Sequence, residues 1–291
     1  YSAMSTVPDS YVRGTAINIQ DNTDTNEQLI INAEYAQGFY VDEHDDMQNM
    51  YSAALEYGKK TAEYLSNQID AMVLGEALNA ASTVTVGTLA TTNVVSAITG
   101  ANKALAKRNV TSKDKYAVIS PEFEEILVQY VENKATVKGD QVGMNGYILT
   151  WMGYDFYVSN QLTSTAVLAM ATNPTASDTI TIAGQVFTFV SSIGTTAGNV
   201  LIGVNVDATR ASLATLINAA GTTTATGVAL TGDSLKLFKA RITAVNDNTA
   251  DTITITGKGL GVLDVSETLT DGTDTWTATS QLQHNLFGVK G

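Results

Sequence analysis

The 291-residue sequence contains no cysteine, which removes disulfides, thiolate zinc sites and cysteine nucleophiles together. Its two histidines, His44 and His284, offer no multi-histidine metal site within one chain. Basic residues are scarce: 16 Lys and Arg stand against 29 Asp and Glu, for a formal net charge of −13. A pI near 4.4 argues against tight sequence-independent nucleic-acid binding, which needs clustered cationic side chains. No apolar run approaches the roughly 18 residues of a membrane span, so no membrane partner is expected. No charged-then-apolar signal pattern opens the chain. What is plentiful is apolar: 44% hydrophobic residues suffice for a core and exclude wholesale disorder.

Two compositions share the chain. Residues 163–279 hold 27 Thr but only nine Asp or Glu and five Lys or Arg, whereas 20 acids fall before them. Thr, Val and Ile in alternation favour strands, and interleaved Gly, Asn and Asp supply turns. The tail 280–291 regains the mixed character of the first part. This pattern predicts an insertion in one parent domain, with boundaries near Thr163 and Ser280; the alternative is a C-terminal β domain in tandem.

Residues 1–41 read as an N-terminal segment with a two-stranded extended arm. Its strands are expected at 11–19 and 28–32, about the polar turn Asp21 to Asn26. A helix follows from Asp45 to Ala80, with no proline and with Met47, Met50, Tyr51, Ala54, Gly58, Ala62, Leu65, Ile69 and Met72 on one apolar face. Its acidic start, Asp42 to Asp46, suits the helix dipole. At roughly 1.5 Å per residue it would be on the order of 54 Å long, a spine lying across a sheet. A second helix is predicted over Thr92 to Arg108, then a strand at Lys115 to Ile119. Ser120-Pro121-Glu122 combines an N-cap, a first-turn proline and first-turn acids, so a third helix should start at Pro121 and run to Lys134. Gly146 to Asn160 predicts two strands about a glycine-containing turn.

Within the β-rich stretch, strands are expected at 179–182, 185–190, 200–204, 235–245, 252–256 and 275–279. Ala183-Gly184 supplies a tight turn. One helix, Ala208 to Ala219, is expected with Asp207 as its cap.

Candidate chemistry is thin. The patch Asp42, Glu43, His44, Asp45 and Asp46 lacks the spaced loop and central glycine of a calcium site, as does Asp21 to Glu27. Gly257-Lys258-Gly259-Leu260-Gly261 is not a phosphate loop, because Gly-x-x-x-x-Gly-Lys-Ser/Thr is absent. No Gly-x-Ser-x-Gly elbow occurs. His284 has no nearby acid and reads as structural. Lys103, Lys107, Arg108, Lys113 and Lys115 form the one basic cluster, read as a solvated face or a subunit contact in preference to a polyanion site. No residues satisfy the nucleophile–base–stabiliser arrangement, so no catalytic, cofactor-binding or metal residues are assigned and no enzyme is expected.

The order of features resembles the major capsid protein of tailed bacteriophages, the Hong Kong 97 fold. The resemblance is carried by Lys115-Tyr116-Ala117-Val118-Ile119-Ser120-Pro121-Glu122, by Met152-Gly153-Tyr154-Asp155-Phe156-Tyr157-Val158-Ser159-Asn160, and by the re-entry His284-Asn285-Leu286-Phe287-Gly288. It covers residues 10–162 and about 281–291. It implies an α+β fold: an extended loop in 1–41, peripheral and axial capsid domains in 42–162, an inserted small β-rich domain in 163–279, and a return in 280–291. The opening of that insertion, Ile180 to Phe189, is similar to small β modules that decorate phage structural proteins. An N-terminal arm before the loop and final peripheral strands are absent from this sequence, which fits a processed chain or a piece of a longer one.

The resemblance implies a structural protein that self-assembles as hexamers and pentamers into an icosahedral head enclosing double-stranded DNA. Further candidate partners are scaffolding, portal and cement proteins, with packaged DNA held only weakly at the inner wall. The expected place is the virion, with assembly in the host cytoplasm. The alternatives are an encapsulin-like compartment shell and a β-domain adhesion or binding module.

Overall fold

The computed structural model describes residues 2–3, 13–14, 23–24, 36, 38, 40, 53–80, 82–110, 114–134, 150–277 and 282–289. The expected arm strand 28–32 and the acidic patch at 42–46 lie outside them, and the expected strand 11–19 is corrected in its described part, Arg13-Gly14, which is a turn with Gly14 at φ 97°. Residues 1–65 form one unit and 66–291 another. In the first, strand β1 (Ser2–Ala3) pairs antiparallel with β2 (Thr23–Asp24). Helix α1 (Ala53–Gly75) continues into a 3-10 turn over Glu76–Asn79, matching the expected end at Ala80. The 23 described α-helical residues span about 35 Å. The expected apolar face is corrected: Ile69 is 60% and Met72 39% exposed, whereas Ala71 and Gly75 are buried. The buried side is the one with the smallest residues, because backbone packs against it.

Helix α2 (Val94–Lys107) buries Val94, Ala97, Ile98 and Ala101, at helical spacing. Ahead of it, the Asn93 side chain accepts from Ala90 N and donates to the carbonyls of Val86 and Thr88, which fixes the linker. Strand β3 (Lys115–Ile119) occupies its expected residues. Ser120 then caps helix α3 (Pro121–Glu132): its backbone is extended and its hydroxyl accepts from Phe123 N at 3.2 Å. Phe123, Leu127 and Val131, four apart, enter the core. Strands β4 (Thr150–Trp151) and β5 (Tyr154–Val158) form a hairpin whose turn residues, Met152 and Gly153, have φ of 51° and 82°. Positive φ at both central positions is the twist that a two-residue hairpin needs.

The β-rich stretch opens with β6 (Ser164–Ala169), buried at every second residue. Strands β7 (Thr179–Ile182) and β8 (Gln185–Val190) meet at Ala183-Gly184, as expected, again with positive φ at both. Strand β9 (Asn199–Leu201) is shorter than expected. Gly203 N already bonds the Thr209 hydroxyl at 2.9 Å, turning the chain into helix α4 (Val206–Asn218). The cap is corrected: Asn205, extended at φ −148°, accepts from Ala208 N, while Asp207 lies inside the first turn against Arg210.

The expected strand 235–245 is also corrected. Helix α5 (Gly232–Arg241) occupies most of it, and strand β10 (Ile242–Asp247) only its end. The alternation Leu235-Lys236-Leu237 reads as a strand, but Thr231 is extended and Gly232 turns at φ 65°. The helix then sends Phe238 against Phe187, ring centroids 5.4 Å apart. Tertiary packing overrides the short local pattern. Strands β11 (Thr252–Gly257) and β12 (Val265–Glu267) follow. The expected strand 275–279 reduces, in its described part, to a bridge between Trp276 and Leu168.

Strands β13 (Leu282–Gln283) and β14 (Leu286–Val289) carry the chain back. The sheet orders are β10-β11-β6-β13, β12-β7-β8-β9 and β14-β3-β5-β4. The mixed, α+β character is as expected. Two cores form. One gathers Phe187, Phe189, Leu213, Leu216, Phe238, Ile253 and their neighbours from 166–263; the other gathers Ile98, Phe123, Leu127, Tyr154 and theirs from 94–156, with Phe287 packed on it from β14.

Candidate assembly surface

Ile69 and Val73 lie four apart on α1 and share one side; Ala71 and Gly75 share the opposite one. Val73 is 63% exposed. Beside it an open groove of about 510 Å³ is lined by Asp70, Val73, Leu74, Pro121, Val158 and the run Ser159 to Gln161. Val158 is itself partly exposed, as is Tyr157 before it. Exposed aliphatic side chains around a groove mark a surface suited to a partner. The groove holds no acid–base pair and no arrangement for nucleophilic chemistry; Asp70 is its one titratable group among the described residues.

The glycine run set aside as a phosphate loop lies on the buried side of α1. A Cβ at Gly259 would stand 2.4 Å from Ala71 Cβ, and one at Gly261 would stand 2.1 Å from the Asn160 carbonyl oxygen. Gly261 N donates to Leu162 O at 2.9 Å. Arg241, at the end of α5, reaches Gln68 on α1. The run is therefore a packing element.

The basic cluster is partly assembled. Lys103, Lys107 and Arg108 are exposed along the end of α2, with Arg108 Nε bonded to the Ser82 hydroxyl. Lys115 turns away to Asn102 and lies over the Tyr154 ring, 5.4 Å from its centroid. Lys113 lies outside the described residues. His284 sits where β13 returns, and burial pushes its imidazole below the usual histidine range. Among the described residues no group of three His, Asp or Glu is placed to hold a metal ion, and no helix is long and apolar enough to cross a membrane.

Sequence reasoning missed the most elaborate polar centre. Arg210 is fully buried, with Nη2 on Asp207 and, at 2.9 Å, on Asp251, Nη1 on the Met170 carbonyl, and Nε on Asn246 Oδ1 at 3.2 Å. Its only sequence signal was a lone arginine in a basic-poor stretch. Nearby loops hold anionic caps. Burial pushes Asp178 up, but bonds from the Thr270 hydroxyl and from Thr270 and Thr175 N outweigh it and hold the carboxyl low. The Thr273 amide and hydroxyl hold Asp271 low as well. These bonds lock loops and leave no vacant ligand set.

A family model described as phage capsid protein matches residues 27–192, more than half of the chain. No curated protein matches. Among solved structures, one of Mycobacterium phage Che8 is 16% identical, with a TM-score of 0.40, over 83% of this chain and 68% of that one. The capsid structure of the cyanophage P-SCSP1u is 12% identical, also with a TM-score of 0.40, over 92% of this chain and 79% of that one.

Proposed function

The chain belongs to the phage capsid protein family, and from that membership we propose that it builds an icosahedral head around double-stranded DNA as hexamers and pentamers with a Hong Kong 97-type subunit. As a major capsid protein it is structural, a component of the virion shell, and it associates with copies of itself. The encapsulin-like and adhesion alternatives are not favoured by the family match.

The carrying observation is the match over residues 27–192. Closed shells need repeated heterologous and symmetric contacts, not pockets for chemistry. The exposed Ile69, Met72 and Val73, the last of which lines the groove, support that role. The family is one of structural proteins, and no enzymatic step is assigned to the chain. Residues 163–279 read as an insertion, with 1–41 as loop segment, 42–162 as peripheral and axial parts and 280–291 as the return. Supports for this division are the change of composition at Thr163, the separate core of 166–263, and the antiparallel pairing of β13 with β6, which brings the two ends of the stretch together. A subunit of net charge −13 would hold packaged DNA weakly. Scaffolding, portal and cement proteins are further proposed partners, met in the host cytoplasm.

Negative-stain microscopy of the expressed protein tests the proposal. Closed particles of uniform diameter are the expected outcome; monodisperse monomers under every assembly condition would overturn it.

A further inference from the structure

We propose that the loop 257–261 is a clasp that fixes the β-rich stretch 163–279 on helix α1, with Gly259 and Ala71 as the pair that forms it. The inference rests on the reading of 163–279 as an insertion in the capsid subunit.

The joint between the two ends of the stretch is short. The β6–β13 ladder carries the pairs Thr165↔Leu282 and Ser164↔Gln283, and His284 N donates to Thr163 O at 2.8 Å beside them. At and beside it, Gln161 Oε1, Thr163 Oγ1, Ser164 Oγ, Gln283 Oε1 and His284 Nε2 are buried and find no hydrogen-bond partner among the described residues. Each buried polar atom left unpaired favours exposure to water. Two short strands with such a lining hold the ends together at one place.

The clasp supplies a second restraint away from the joint. Strand β11 ends at Gly257, and Lys258 N donates back to Arg241 O at 2.8 Å. The chain then passes α1 at backbone distance. Gly259 has φ +63°, and a Cβ there would come within 2.6 Å of Ala71 Cα and 2.8 Å of its carbonyl oxygen. Gly261 has φ +68° and no room for a Cβ beside Asn160. Both glycines thus meet two independent requirements, a left-handed backbone and a close approach. On the helix side, the Lys258 stem lies where a Cβ at Gly75 would meet it at 3.4 Å, and Gln68 takes Arg241. The contact joins a loop of the β-rich stretch to a helix remote in sequence, and the bond from Gly261 N to Leu162 O secures the chain just ahead of β6 in the same place.

Hydrogen exchange on the full, unassembled chain tests the clasp with two substitutions from opposite sides. Gly259→Val removes the fit from the loop. Ala71→Leu removes it from the helix, where leucine is a good helix former and leaves the loop backbone intact. Each variant is expected to raise exchange at least about tenfold at residues 66–75 and at Gly261, leaving β7, β8, β10 and β11 at parent rates, and the double variant should add little to either single one. Parent rates at 66–75 in both variants would overturn the proposal. So would loss of protection throughout β7, β8, β10 and β11 in Ala71→Leu, which would make the contact part of that core. Exchange is read before assembly, so failure of the parent chain to form particles would overturn the shell reading and leave this result standing.

Discussion

At the scale of single residues, two buried polar groups have opposite partner supply. Arg210 has four partners, yet Asp207 and Asp251 keep side chains 46% and 52% exposed. Water screens those two ion pairs, so the decisive bond is the one to the buried Met170 carbonyl. Arg210→Ala should therefore cost at least the roughly 1–3 kcal/mol of an orphaned buried acceptor, and Asp207→Asn less than about 1 kcal/mol. Urea unfolding of both variants checks this ranking; equal losses would show that the carboxylate carries the site. His284 has the reverse problem: its Nε2 has no partner among the described residues, and burial favours the neutral ring. A folded-state value below the ordinary 6.5 means that the unfolded chain takes up the proton first. Stability from this group is intact above pH 6.5 and falls as pH drops from there through the lowered folded value. His284→Gln should remove that component. Thermal melts of parent and variant should run parallel above pH 6.5 and diverge below it, with the parent losing more; parallel curves throughout would exclude the burial argument.

At the scale of elements, the edge of β10 shows how the β-rich sheet ends. Asn218, the last residue of α4, donates to the Ala244 carbonyl at 2.8 Å and accepts from its amide at 2.9 Å, replacing the next strand. An uncovered edge invites pairing with another chain. Asn218→Ala should lower stability by roughly 1–3 kcal/mol and cause concentration-dependent association, read by denaturation and light scattering. A monomer of unchanged stability would contradict the capping role. Where local chemistry dictated the element, the sequence was legible: Ser120-Pro121 set the start of α3, and Ala183-Gly184 set the β7–β8 turn. It failed where one element answered to distant partners. Leu235 to Arg241 became a helix because Phe238 packs on Phe187, and the cap of α4 moved to Asn205 because Asp207 serves Arg210. The α1 face was misassigned for the same reason. Ala71 and Gly75 carry little hydrophobic signal, yet the loop 257–261 packs on their side, and that approach is set by residues nearly two hundred positions away. The family likeness was legible from the order of local motifs; the surface that surrounds Val73 was not, because it joins α1 to the residues 158–161.

At the scale of the whole molecule, charge and apolar surface oppose each other. Each copy carries −13, with 20 of its 29 acids ahead of residue 163, so copies brought together repel. Exposed Ile69, Met72 and Val73 offer burial that is indifferent to salt, whereas repulsion between exposed charges falls as the Debye length shrinks from about 10 Å at 0.1 M to about 3 Å at 1 M. Assembly driven by apolar contact against like-charge repulsion should therefore become more complete as sodium chloride rises from about 0.1 M to about 1 M. The opposite response has a structural basis too. Lys103 and Lys107 on α2 and Glu122, Glu125 and Glu132 on α3 are exposed and form no ion pairs with one another within the chain, so contacts between copies could match them. Salt would weaken such contacts. Sedimentation of the assembled fraction across that salt range separates the two balances. A rising fraction assigns the contact free energy to apolar burial. A falling one would overturn that assignment and place the α2 lysines and α3 glutamates at the subunit boundary.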